Sequence, residues 1–581
     1  MGLLETVEAA RAELPQSKAH RVGCGPKPGV EATPASKRGR MRGLVLLLVH
    51  VAIALHVWHW LATGRSLGAL EPSEAGLVWT EGVLNAGLVL MVLATASTLI
   101  VGRFFCGWAC HVVALQDASA WLLGKLKLRP KPVRSRVLVF VPLLVAIEVF
   151  LGPAIVRLVR GESLPMPSWQ LTTDDLWARF PGLWMALATF ATVGFAAVWL
   201  LGSKGFCTYG CPYGAIFGVA DRFAKGRIRV SDACEGCGHC TAVCTSNVAV
   251  HTEVRLHRMV VDSGCMKCMD CVSACPKGAL SFSFGPAPSA AVRKKAARRT
   301  FDFSWPEEIA LAALFFLGLY AYRGLYGAVP LLLAVTLAVL FAFLSVALVR
   351  LVRGRDFRLQ HGMLKRGGRW TGLGLAVLPL LVLVVGVTLH SAGVQWHARG
   401  GAAALADAGQ SDGAERAGHL LRAGRHLERA ASLGWVSPAE LERRAGSAYI
   451  GGGEPRRALA LLERAAARSG ADPVAQLELY RVQVALEDWA AAAQSYGRAL
   501  DLEEAAGRPL DPDRAMQLAG EVVELVRRAP EAVEPTLLFA RLQAAAGDVP
   551  TAVQNLEALR ARHPGETRVT ALLEKLRGAA R

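Results

Sequence analysis

The chain has 581 residues, 53% of them hydrophobic and 19% charged, with a mean hydropathy of +0.33. It is too apolar for an ordinary soluble protein and long enough for several domains. The net charge of +18 is uneven, since from Gly401 onward 25 acidic residues face 23 basic ones. The excess therefore lies earlier, beside apolar runs, where it orients membrane segments rather than marking a nucleic-acid partner.

Residues 1–42 form a basic tail, with seven Lys/Arg between Lys18 and Arg42 and no pattern of a cleavable signal peptide. Cys24 stands alone there among Gly and Pro and reads as incidental. Residues 43–203 hold four apolar runs, Gly43–Thr63, Gly82–Val101, Val137–Val156 and Phe180–Gly202. Each is close to the roughly 20 residues that cross a bilayer. Glu71, Glu74 and Glu81 mark the first connection; Lys125, Lys127, Arg129, Lys131 and Arg134 mark the second. The positive-inside rule then places the N-terminus, the second connection and everything following the fourth run on the cytoplasmic side of a bacterial inner membrane. Residues 204–305 form a cytoplasmic module. Residues 306–391 add three runs, Ile309–Tyr322, Ala328–Val349 and Thr371–His390, the first short at 14 residues. With the basic segment Arg350–Arg369 inside, seven spans result and the C-terminal region lies in the periplasm.

Residues 401–581 are Ala/Arg/Glu/Leu-rich with helical period, and they repeat. Gly453-Glu-Pro-Arg-Arg-Ala458, with Leu461, Leu462 and Ala465, recurs 34 residues later as Glu487-Asp-Trp-Ala-Ala-Ala492, with Tyr496 and Ala499. A third copy, Gly547 to Ala552 with Leu556 and Leu559, follows an insertion around Arg508–Pro512. Pro438, Pro473 and Pro530 stand where helix pairs begin. The period is that of tetratricopeptide repeats and predicts a helical solenoid that docks a partner; an unrelated helical bundle is the other reading. The fold class is mainly α: a polytopic transmembrane helical protein with a small α+β domain at residues 204–305, whose cysteines, taken next, give it a ferredoxin pattern, and a tetratricopeptide-like C-terminal solenoid.

Eight of the thirteen cysteines lie in two runs of one grammar. Cys234-x-x-Cys237-x-x-Cys240-x-x-x-Cys244 precedes Cys265-x-x-Cys268-x-x-Cys271-x-x-x-Cys275-Pro276. This is the spacing of a ferredoxin with two [4Fe–4S] clusters, in which the fourth cysteine of each run crosses to the other cluster. One cluster takes Cys234, Cys237, Cys240 and Cys275; the other takes Cys265, Cys268, Cys271 and Cys244. Paired zinc sites also use C-x-x-C, but they give no reason for the three-plus-one doubling. Two further pairs, Cys106-Gly-Trp-Ala-Cys110-His111 and Cys207-Thr-Tyr-Gly-Cys211-Pro212, directly follow the second and fourth runs. Their four thiols can complete a third [4Fe–4S] site, form redox-active thiol pairs, bind another metal, or pack as small hydrophobes. Cys106-x-x-x-Cys110-His111 also looks like a widened covalent haem motif, an attachment made outside the membrane and so at odds with a basic, inside segment.

The paired Cys-x-x-x-Cys motifs, the four-span core and the double ferredoxin motif together resemble the NapH/NosR-type membrane polyferredoxins over roughly Arg40 to Pro286. The resemblance implies electron transfer between the membrane quinone pool and a redox partner, an activity of quinol-dehydrogenase type, with Cys106, Cys110, Cys207 and Cys211 matching the family's two motifs. His111 stands where the first motif usually has proline, and Thr245 replaces the proline after Cys244. Neither change removes a sulfur. Intramembrane ionisable residues often serve proton chemistry, so His56, His59 and Glu148 are candidates to take protons from a quinol. The histidines can equally ligate b-type haem or sit at the interface. A second functional class is a redox-linked assembly, metal-reducing or regulatory factor for a respiratory enzyme, with the repeat array docking a maturation partner. No dinucleotide fingerprint or phosphate loop is found.

Overall fold

A helix that is apolar on every face is built to be surrounded by lipid or protein. Helix α1 (Lys37–Thr63) is of this kind: Leu44, Leu47, Leu48, Leu55 and Leu61 are all exposed. It belongs to a computed structural model that describes residues 37–128, 130–176, 182–289, 301–435, 439–470, 472–508 and 510–579. Cys24, Phe180, Pro438 and most of the basic tail lie outside the described residues.

The chain divides into two compact units, residues 1–319 with 328–385, and residues 320–327 with 386–581. Among the described residues, four helices are long and apolar enough to cross a membrane, Lys37–Thr63 from Arg38 onward, Leu183–Leu201, Leu331–Arg353 and Gly372–Ala408, or five if one bent pair counts as a span; the last of the four begins in the first unit and ends in the second. The apolar run from Gly82 gives a shorter helix than its length suggests. Gly82 takes φ +73°, Val83–Leu84 is a strand, and Asn85 caps α2 (Ala86–Val101), its side chain accepting from Leu88 N–H at 2.8 Å. The helix is left with 16 residues.

A turn α3 (Phe104–Trp108) and helix α4 (His111–Lys125) follow. The third run is broken: α5 (Val141–Phe150) and α6 (Gly152–Val159) belong to a pair bent by 55° at Leu151. Pro153 lacks an N–H and its ring crowds the preceding turn, so the helix cannot pass straight through. The fourth run becomes α7 (Leu183–Leu201), with π-type hydrogen bonding over Phe190–Ala196. A second turn α8 (Gly205–Tyr209) and helix α9 (Pro212–Asp221) repeat the pattern of α3 and α4.

The module after α9 is built on an antiparallel strand pair, Gly226–Val230 against Leu280–Phe284, in register Gly226↔Phe284 to Val230↔Leu280. Its core gathers Ile228, Val248, Val250, Val254, Val260 and Leu280, and it includes Trp108 from α3.

Helix α10 (Trp305–Tyr322) starts with two acids that both find partners. Glu307 accepts from Arg350 at 2.6 Å, and the fully buried Glu308 accepts from Ser135 Oγ at 2.5 Å and Arg136 N–H at 2.8 Å. Its polar first turn keeps α10 out of the membrane-length set. Helix α11 (Leu331–Arg353), a three-stranded meander over Phe357–Trp370, and helix α12 (Gly372–Ala408) complete the series.

The second unit is a run of helices. Ala439–Gly451 and Pro455–Ser469 form a pair that recurs 34 residues later as Pro473–Ala485 and Trp489–Ala505. Asp472, Asp488, Asp511 and Asp548 each cap a helix through the side chain. Ala458, Leu461, Leu462, Ala465, Ala492, Tyr496, Ala499, Ala552, Leu556 and Leu559, the repeating positions, are all buried between helices.

Candidate metal centre

The two Cys-x-x-x-Cys segments share one local design. Each apolar helix ends at a glycine, Gly102 (φ +77°, ψ −168°) or Gly202 (φ +108°, ψ +166°), a conformation open essentially to glycine alone. A five-residue helix then carries the first cysteine, Cys106 or Cys207, and the second, Cys110 or Cys211, is the N-cap of the next helix. Backbone N–H groups of Val112 and Val113 point at the Cys110 thiol, and that of Gly214 at Cys211. Helix N-termini favour thiolate in this way.

All four thiols converge. Cys211 lies within electrostatic reach of Cys207, Cys110 and Cys106. The basic residues that precede the motifs are buried beside them: Arg103 neighbours Cys106 and Cys211, and Lys204 neighbours Cys207. Lys204 Nζ also pairs with Asp117 at 2.5 Å, and Gln116 Nε2 donates to Cys207 Sγ at 3.5 Å. Burial pushes the Cys207 thiol up to about 12 and Cys110 up to about 11, with the neighbouring sulfurs adding to the rise. Four clustered sulfurs, with cations and N–H donors aimed at them, form a donor set suited to an iron–sulfur cage.

The eight cysteines of the two ferredoxin runs stand close together. Cys240 lies within reach of Cys237, Cys234 and Cys275, and Cys271 lies within reach of Cys265, Cys268 and Cys244, and of Cys240 as well. Each fourth cysteine has crossed to the other triplet. Burial raises Cys240 to about 11 and Cys244 to about 12. Among the described residues no three His, Cys, Asp or Glu side chains converge as they would on a single ion.

Two loops of identical spacing surround these sulfurs, with different residues at their left-handed positions. The first has Gly236 (φ +67°) and Gly238 (φ +84°); the second has Lys267 (φ +53°) and Met269 (φ +64°) at the equivalent places. A side chain there costs about 1 kcal/mol per residue. Lys267 is held by an ion pair to Asp221 at 2.9 Å, both side chains fully buried, and its carbonyl accepts from Trp108 Nε1–H at 2.9 Å. A Cβ on Gly107 would stand 2.2 Å from the Met266 carbonyl oxygen, so the Cys106–Cys110 turn lies flush against the Cys265–Cys268 loop. Trp108, Gln116, Asp221 and Lys267 were not marked by the sequence patterns. The repeated order of glycine, basic residue, Phe and Cys before each pair is the one signal that pointed to their surroundings.

The three proton-handling candidates lie apart from the thiols in the chain. His56 Nε2 bonds the Leu67 carbonyl at 3.0 Å and His59 Nδ1 bonds Ser66 Oγ at 3.2 Å, so both hold the strand that follows α1. Glu148 is half-buried on α5, beside the break at Leu151. His111 opens α4 near Glu71 and His50, and burial lowers its imidazole below the usual range.

Residues 85–130 and 183–231 match a 4Fe-4S binding domain, and residues 233–280 match a 4Fe-4S dicluster domain. The class of protein is thus ferredoxin-type, with iron–sulfur binding domains joined to helices of membrane length. The chain is similar to ferredoxin-type protein NapH of Haemophilus influenzae, 27% identical over 229 residues, covering 38% of this chain and 74% of the relative. It is also similar to the methylamine utilization ferredoxin-type protein MauN of Methylobacillus flagellatus, 30% identical over 177 residues, covering 28% and 57%. An uncharacterised protein of Methanocaldococcus jannaschii is 27% identical over 205 residues, covering 34% and 71%. No solved structure matches the chain.

Proposed function

We propose that the chain is a membrane electron-transfer protein that exchanges electrons between the quinone pool and a partner redox protein. The observation that carries this reading is the packing of the Cys106–Cys110 turn against the Cys265–Cys268 loop, which brings three cysteine sets into one continuous region. We assign Cys234, Cys237, Cys240 and Cys275 to one [4Fe–4S] cluster, and Cys265, Cys268, Cys271 and Cys244 to a second. A third is assigned to Cys106, Cys110, Cys207 and Cys211. When bound, such clusters supply reversible one-electron chemistry. The chain's own residues balance thiolate charge through Arg103 and Lys204, donate to sulfur through Gln116, and exclude water by burial.

A cavity of about 2620 Å³ supports the quinone part of the reading. Leu46 and Leu47 of α1, Leu115 and Trp121 of α4, and Phe343 of α11 line it, and so does Cys244 of the second ferredoxin set. A lipid-soluble carrier of quinone type can thereby come near a cluster ligand. His56, His59 and Glu148 remain the proposed acceptors for the two protons a quinol releases with its two electrons. Glu148→Gln should then abolish quinol-dependent bleaching of the cluster absorbance, and full activity in that variant would remove Glu148 from the scheme.

The proposed topology has seven spans, with α2 and α10 crossing although short, the cysteine module cytoplasmic, and the C-terminal helices a periplasmic tetratricopeptide-like array that docks the partner. A reporter fused after Arg581 should be active only outside the cytoplasm; cytoplasmic activity would refute the count. Iron and acid-labile sulfide, measured anaerobically with spin-resonance spectra, test the cofactors directly. About twelve irons per chain are expected, whereas about eight would leave the Cys-x-x-x-Cys pairs to thiol chemistry.

A further inference from the structure

We propose that the second ferredoxin ligand loop, Cys265–Cys271, is completed by the membrane core, with Trp108 and Asp221 as its positioning residues, whereas the first loop takes its ligating shape unaided. The inference rests on the iron–sulfur reading above and concerns what each loop needs in order to be loaded.

Spacing alone makes the loops equivalent: Cys234, Cys237 and Cys240 correspond to Cys265, Cys268 and Cys271, 31 residues later. Both need left-handed backbone at two places. The first loop meets that need with Gly236 and Gly238, which adopt it freely; the second has Lys267 and Met269, which do not. Strained backbone persists only when surrounding structure over-determines it, and for this loop the surroundings come from the membrane core. Trp108 sits in the module's own apolar core, stacked on Phe104 with centroids 5.2 Å apart, and its indole N–H holds the Lys267 carbonyl. Asp221, at the end of α9, takes the Lys267 ammonium in a fully buried pair and also accepts from the Arg103 backbone N–H at 3.1 Å. Arg103 Nη1 donates to the Ser263 carbonyl at 3.0 Å, and Arg42 of α1 pairs with Asp270 at 3.5 Å.

Among the described residues the first loop has no comparable support. Glu235 pairs with Lys277 inside the module, a Cβ on Gly236 would meet only the Arg255 side chain, at 3.9 Å, and Gly238 has open space where a Cβ would be. Residues 231–233 are exposed. The second set therefore faces the four-cysteine turns, and the first faces away from them.

The test uses the full-length protein purified anaerobically in detergent, with Cys237→Ser and Cys268→Ser assigning the spin-resonance signals to the two sets. Trp108→Leu should lose about four irons per chain and the second-set signal, while the retained first-set signal reports a folded module. Adding Met269→Gly should restore most of the lost signal, because glycine at that position needs no support. Trp108→Phe keeps the ring but not the donor, and should shift the midpoint potential of the second signal alone. Equal loss of both signals, an unchanged spectrum in both Trp108 variants, or failure of Met269→Gly to rescue would overturn the proposal. A wild-type chain without iron would overturn the functional reading together with it, whereas iron present but lost equally from both sets would overturn this proposal only.

Discussion

The loops Cys234–Cys240 and Cys265–Cys271 each carry a lysine–carboxylate pair of the same length, and the two pairs do opposite things. Lys277 meets Glu235 at 2.9 Å on the surface, both side chains more than half exposed. Lys267 meets Asp221 at 2.9 Å with neither side chain reaching solvent. Water screens the first pair and holds both ions as well alone as together, so it decides little. The second pair has no water to fall back on, and Arg227 adds a further buried cation at 3.4 Å from Asp221. Identical distance therefore says nothing about consequence until burial is known.

The largest effect expected from breaking this contrast is at Asp221. Asp221→Ala would leave Lys267 and Arg227 buried without their carboxylate and should cost about 3–5 kcal/mol, read as a large drop in melting temperature of the detergent-solubilised protein. A variant melting with the wild type would mean that water reaches the pair. Next comes Gly107→Ala, whose methyl would press on the Met266 carbonyl oxygen at 2.2 Å, with Cys268 N at 3.5 Å. It should cost about 1–3 kcal/mol and diminish the second-set spin signal before the first. Gly238→Ala should do the reverse at about 1 kcal/mol, weakening the first set while leaving the second, because open space admits the Cβ and only its φ of +84° objects. Lys277→Ala should leave the melting temperature unchanged within error, and a clear drop would show that the exposed pair has a structural duty.

Much of this was legible in the chain. The crossed grouping of Cys275 with the first triplet and Cys244 with the second follows from spacing, because short loops fix which sulfurs can share a cage. The buried Ala458, Leu461 and Leu462 and their counterparts follow from a 34-residue period. Apolar runs were equally plain, but their lengths misled at two places where polar or cyclic residues intervene. Asn85 caps a helix inside one run, and Pro153 bends another. Both residues were in view, yet hydropathy averages over them. His56 and His59 were marked as intramembrane ionisable groups; the structure adds that each already has one ring nitrogen engaged beside Ser66 and Leu67.

The sequence by itself determined the ligand grammar, the alternation of charge around the apolar runs and the repeat period, since each is a local matter of spacing or composition. Tertiary structure alone decided that the Cys106–Cys110 and Cys207–Cys211 turns meet, that Trp108 enters the core of the cysteine module, and that Asp221 finds Lys267. Those partners lie 46 to 159 residues apart where hydrogen bonds join them. Left-handed backbone at Lys267 and Met269 belongs to the same category, because no local preference selects it. Only contacts that form after the chain has closed on itself can hold it there.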